Sequence, residues 1–194
     1  MSIPPTNNTP RRRATQTLDE AIARFSSPEQ KRVALRKALG NHPQDERLHQ
    51  EITRLNGPEA IRAAVTAGLF ISYSRPDELF ALDLTERLNA AGINAWMDMI
   101  HVTEDQDWDT EVERALARSG LMIAVLSPHV LTDDALTTER KEFDEQGKLI
   151  LPVLHSHCEW RKPEFWLPTI DFTRDFDRGL HTLLQVLKGT LPLR

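Results

Sequence analysis

From Leu69 onward, short apolar runs alternate with longer amphipathic stretches, and that alternation leaves few folds open to the chain. Leu69–Ser74, Ile93–Met97, Leu121–Leu126, Leu149–Leu154 and Thr169–Phe172 are too short for helices and rich in residues that suit strands. Between them, Glu78–Ala91, Asp107–Ser119, Thr132–Gln146 and Arg174–Leu187 carry helical periodicity, with Gly92, Gly147 and Gly189 as stops. Strand and helix in strict alternation build βαβ units, hence a parallel sheet covered on both faces. Right-handed crossovers then favour a doubly wound order whose working crevice opens at the carboxyl ends of the first and third strands. Ser72 to Arg75 and Ser127 fall at that crevice.

The residues before Gly68 are different. Met1 to Thr15 is polar and proline-rich and reads as a disordered leader, without the apolar core of an export signal. Residues 16–67 read as helical. Leu18, Ile22 and Phe25 share a face, and Ser27-Pro28 opens a helix that Gly40 closes. Pro43 opens another, with Leu48, Ile52 and Leu55 on its stripe, and Pro58 starts a fourth that reaches Gly68. Helices this short are marginal alone, so they must pack on each other, on the main domain or on a partner chain. The segment is a candidate for oligomerisation, regulation or docking of a protein partner.

Charge and cysteine content narrow the function. Residues 1–66 carry 11 Lys/Arg against 7 Asp/Glu, whereas residues 67–194 carry 13 against 22. A domain that acidic is a poor binder of phosphate backbones, so nucleic acid is not the expected partner. The longest apolar run, Leu121–Leu126, cannot cross a bilayer, and no membrane partner is expected. The lone Cys158 fits a reducing cytoplasm. His155-Ser156-His157-Cys158 has metal-capable side chains but no second motif at zinc-site spacing, so no metal is expected.

Taken in order, Phe70-Ile-Ser-Tyr-Ser74, Gly92-Ile-Asn-Ala-Trp96 with Asp98, Trp108, Leu126-Ser-Pro128, Glu139, Gly147-Lys148, Leu151-Pro-Val153 and Ile170-Asp-Phe172 resemble a bacterial TIR (Toll/interleukin-1 receptor) domain over residues 68–190. The resemblance implies a flavodoxin-like, five-stranded parallel sheet with helices on both faces, spanning 68–194 after the helical segment. It also implies one of two roles. Some TIR domains only assemble with other TIR domains; others cleave the nicotinamide–ribose bond of NAD⁺ through one glutamate on the helix after the third strand. The match of spacing between Ser127-Pro128 and Gly147-Lys148 puts that glutamate at Glu139. The same resemblance marks Tyr73, Ser74, Arg75 and Trp108 as substrate-binding residues. NAD⁺ would be a substrate rather than a cofactor, and the products nicotinamide and ADP-ribose or its cyclic isomer. Activation through homo-oligomeric TIR–TIR contacts, in stress or antiphage defence, belongs to the same expectation.

The residues themselves add four points. At 100° per residue Glu139 falls on the stripe of Leu136 and Phe143, and an inward carboxylate needs a reason because its desolvation is unfavourable. Family enzymes often carry a tryptophan one turn before the glutamate; here Ala135 stands there, a loss of roughly 0.5–2 kcal/mol if that ring stacks on a cation. The usual Pro-Gly of the loop after the second strand is replaced by Glu104-Asp105. A phosphate-accepting receiver domain is disfavoured, since the first strand ends Ser72-Tyr73-Ser74 rather than in an acidic pair.

Overall fold

The computed structural model describes residues 22–103, 105–160 and 166–191, with the side chains of Leu131 and Ala135 excepted. The expected leader, the start of the helical segment, Glu104 and the side chain at position 135 therefore lie outside the described residues. Five parallel strands form one sheet in the order β2-β1-β3-β4-β5. They are β1 (Leu69–Ser72), β2 (Ala95–Trp96), β3 (Leu121–Leu126), β4 (Leu149–Leu154) and β5 (Ile170–Asp171). The winding reverses between β1 and β3, as the alternating pattern requires.

Every residue of β1 and β3 is buried, which is why those runs, Ser72 apart, are apolar rather than alternating. The period of two survives in the choice of face. Leu69, Ile71, Leu121, Ile123, Val125, Leu149, Leu151 and Val153 belong to the principal core. Phe70, Met122, Ala124 and Ile150 belong to a second core on the opposite face. Leu84 and Leu88 of one helix (Glu78–Ala90) and Leu183 and Val186 of another (Phe176–Leu187) close the first face. Val112 and Ala115 of the helix Trp108–Arg118, with Phe143 of the helix Asp134–Glu145, close the second.

In chain order the helices are α1 (Pro28–Asn41), α2 (Glu46–Leu55), α3 (Pro58–Ala67), α4 (Glu78–Ala90), a one-turn α5 (Asp98–His101), α6 (Trp108–Arg118), α7 (Asp134–Glu145) and α8 (Phe176–Leu187). Short 3₁₀ turns, Arg75–Asp77 and Pro128–Thr132, follow β1 and β3. Ser27 caps α1 by accepting from the Gln30 amide at 3.2 Å, with Pro28 inside the first turn.

The helices before β1 pack in two ways. α3 lies on the sheet domain: Ile61 joins the principal core, and a Cβ on Gly120 would come within 2.8 Å of the Ala64 carbonyl oxygen. α1 and α2 form a hairpin around Leu35, Leu39, Leu48 and Ile52. Burying a leucine contributes roughly 1.5–3 kcal/mol, so four such side chains cannot hold an independent unit against its chain entropy. The hairpin is instead fastened to the domain through the turn after α7, where Arg32 and Glu29 meet Gly147.

Candidate functional site

β1 delivers two consecutive residues to different neighbours, and the site divides accordingly. Tyr73 turns towards β2. Its hydroxyl donates to Asp98 Oδ1 at 2.6 Å. Asp98 opens α5, just beyond the carboxyl end of β2. Its other oxygen, Oδ2, accepts from Trp108 Nε1 at 3.2 Å and pairs with Arg75 Nη2 at 3.1 Å. One carboxylate thus gathers Tyr73, Arg75 and Trp108, three of the residues the sequence singles out. Burial and the adjacent Asp98 push the Tyr73 hydroxyl far above its ordinary value, so it remains a donor. Arg75 stays largely exposed and also reaches Glu78 at 3.4 Å.

A cleft of about 340 Å³ opens beside this cluster, lined by Arg75, Asp98, Met99, Val102, Thr103, Gln106 and Trp108. It joins the Arg75–Asp98 ion pair, an exposed indole and the Thr103 and Gln106 side chains, a polar lining beside a flat ring. Ser74 is buried, does not line this cleft, and serves the turn after β1, where its carbonyl accepts from the Asp77 amide at 2.8 Å. The cleft lies on the β2 side of β1, not between β1 and β3 where the topology alone would put it.

The reason is that charged side chains fill the switch point. Arg140, on α7, is 5% exposed. Its Nε donates to Ser72 Oγ at 3.0 Å, and its Nη2 donates to the carbonyls of Ser72 and Val125, both at 3.1 Å. Below it, Ser127 Oγ donates to the buried Asp77 Oδ2 at 2.5 Å, and His155 Nε2 stands 3.9 Å from Asp77 Oδ1. Arg140 was legible in principle. It lies four residues after Leu136 and three before Phe143, the true inward stripe of α7, and a cation there signals a buried role.

Glu139 is the neighbour of Arg140 and sits at the edge of this switch point. Its Oε1 is buried and has no hydrogen-bond partner among the described residues. Burial lifts its carboxyl from the ordinary 4.5 to about 6; the Ser72 hydroxyl and the Arg140 guanidinium pull it down, while Asp98 and Asp133 push it up. Glu139 does not line the cleft at Arg75 and Trp108. The two are joined through β1, whose Ser72 faces Arg140 while the next residue, Tyr73, holds Asp98. Asp98 was not singled out as a site residue from the sequence; its signal was a carboxylate directly after a parallel strand, where ligand-facing groups collect.

A doubly wound parallel sheet with buried charged side chains gathered at its reversal point belongs to a broad class of α/β domains. Within it the family is specific: a TIR domain model matches residues 69–184, more than half of the chain, and this chain belongs to the TIR domain family. The TIR domain of the Toll-related receptor TRR-2 from the lower metazoan Hydra magnipapillata is similar in fold, with a TM-score of 0.50 and 20% sequence identity. The alignment covers 60% of this chain and 97% of that one. No curated protein sequence matches the chain.

Proposed function

We propose that this TIR domain is a cytoplasmic NAD⁺ glycohydrolase in which Glu139 is the catalytic carboxylate. The observation that carries this reading is the buried Oε1 of Glu139, without a hydrogen-bond partner among the described residues, on a carboxyl raised to about 6 despite the Ser72 hydroxyl beside it. A buried acceptor without a donor costs about 1–3 kcal/mol, and such groups concentrate where function requires them. The carboxyl remains predominantly ionised at neutral pH, and so is available as a fixed anion.

The chemistry suits a single anion. Nicotinamide leaves from a pyridinium as a neutral molecule, so no general acid is needed, unlike the alkoxide departure in ordinary glycosides. What remains is to stabilise positive charge on the ribose as the bond breaks, which a preorganised carboxylate does electrostatically. Arg75 offers a cation for the pyrophosphate and Trp108 an exposed ring for a base. Water then yields ADP-ribose, or an internal nucleophile yields a cyclic isomer. Stress or antiphage defence is the setting this activity fits.

A second reading, an assembly module without catalysis, is favoured by the exposed apolar side chains of Met99, Ile100 and Trp108 beside the cleft. Purified protein incubated with NAD⁺, with Glu139→Gln in parallel, separates the two. Nicotinamide release by wild type and none by the variant supports the enzyme. Concentration-dependent association without release supports the assembly module.

A further inference from the structure

The helix that carries Glu139 stops at Gly147, whose positive φ suits a helix end, but the charge of its last turn is unfavourable. The last turn of α7 holds Glu142, Asp144 and Glu145 and no basic residue, so negative side chains crowd the negative end of the helix dipole. The Gln146 and Gly147 amides donate to the Glu142 and Asp144 carbonyls at 3.2 and 2.9 Å, but no side chain of that turn supplies a cation.

Both missing cations come from α1, more than a hundred residues earlier. Arg36 Nη1 donates to the Asp144 carbonyl and pairs with Asp144 Oδ1 at 3.0 Å. Arg32 is 4% exposed, and its Nη1 donates to the Gly147 carbonyl at 3.0 Å. The rest of its guanidinium is tied to α2, with Nη2 on the Leu55 carbonyl at 2.9 Å and Nε on Asn56 Oδ1 at 3.1 Å. Arg32 thus bolts the α1–α2 hairpin and the α7 terminus to one planar group. The backbones are equally close: Gly147 has φ +75°, and a Cβ there would lie 2.2 Å from the Glu29 carbonyl oxygen.

We infer that Arg32 and Arg36 are positioning residues of the site, supplying from outside the TIR domain the cationic cap that fixes α7 and with it Glu139. The helical segment before the domain is then part of the working unit rather than an appendage. The kinetic consequence rests on Glu139 being the working carboxylate; the structural consequence does not.

The test uses the full chain, as wild type, Arg36→Met, the double variant Arg32→Met with Arg36→Met, and Arg36→Lys. Hydrogen exchange followed by mass spectrometry reads peptides covering 139–147, and nicotinamide release gives kcat and KM. In the double variant, exchange over 139–147 should rise at least tenfold while β3 and β4 keep their protection. kcat should fall with KM unchanged, and Arg36→Lys, which keeps the charge, should stay closer to wild type than Arg36→Met in both exchange and kcat. Should the double variant not fold, Arg36→Met reads the same local loosening at smaller amplitude. Unchanged exchange over 139–147, or a rise shared equally by all strands, overturns the inference. The exchange arm decides the cap by itself even if wild type releases no nicotinamide, an outcome that would count against the enzymatic reading alone.

Discussion

Glu139→Gln should make the protein more stable while removing its activity. The carboxyl rises from 4.5 in an open chain to about 6 in the fold, chiefly through burial. A displacement of that size corresponds to about 2 kcal/mol of unfavourable ionisation in the folded state. The sign follows from proton counting. Between pH 4.5 and about 6 the folded protein holds a proton that the unfolded chain has released, so stability falls across that window and stays lower above it. Glutamine has nearly the same shape and never ionises. The variant should therefore exceed wild type by about 2 kcal/mol at pH 8, or about 4–8 °C in Tm for a chain of this size. At pH 4 the two should coincide. Urea unfolding followed by tryptophan fluorescence at both pH values measures this directly. A variant equal to or less stable than wild type at pH 8, with unchanged m-value, would refute the claim that Glu139 is held ionised at the expense of the fold.

Three further outcomes follow from the same contacts. Tyr73→Phe removes the donor to Asp98 Oδ1 and should lower stability by about 1.5–3 kcal/mol, since the acceptor is charged; urea titration measures it. Gly147→Ala must adopt a positive φ and meet the Glu29 backbone, so it should lose more than about 1 kcal/mol and raise hydrogen exchange in α1. Arg140→Met removes a cation that holds the Glu139 carboxyl down, so the acidic limb of activity against pH should move upward from about 6, while Arg140→Lys should leave it nearly in place.

The sheet was legible because its strands are buried on both faces and so read as uninterrupted apolar runs. β3 and β4 run over the residues the sequence pattern gives, and the order with reversal between β1 and β3 follows from right-handed crossovers. β2 and β5 are only two residues long, because edge strands are defined by pairing rather than composition. The one-turn α5 has no periodic signal at all, yet it aims Asp98 at Tyr73, Arg75 and Trp108. The site was harder to read for a physical reason. Helical periodicity gives the face of Glu139 to within about one residue, and that margin hid Arg140 as the side chain that enters the switch point. Contacts such as Arg32 to Gly147 join residues 115 apart, and no local pattern encodes them.

If an ionised Glu139 does the work, the pH dependence of kcat/KM for nicotinamide release, read at NAD⁺ well below KM, must follow the carboxyl of the free protein. kcat/KM should be constant above neutrality and fall to half near pH 6 on the acid side, as the carboxyl takes up its proton. A rate that stays flat down to pH 4.5, or a Glu139→Gln variant with the wild-type rate, would contradict it.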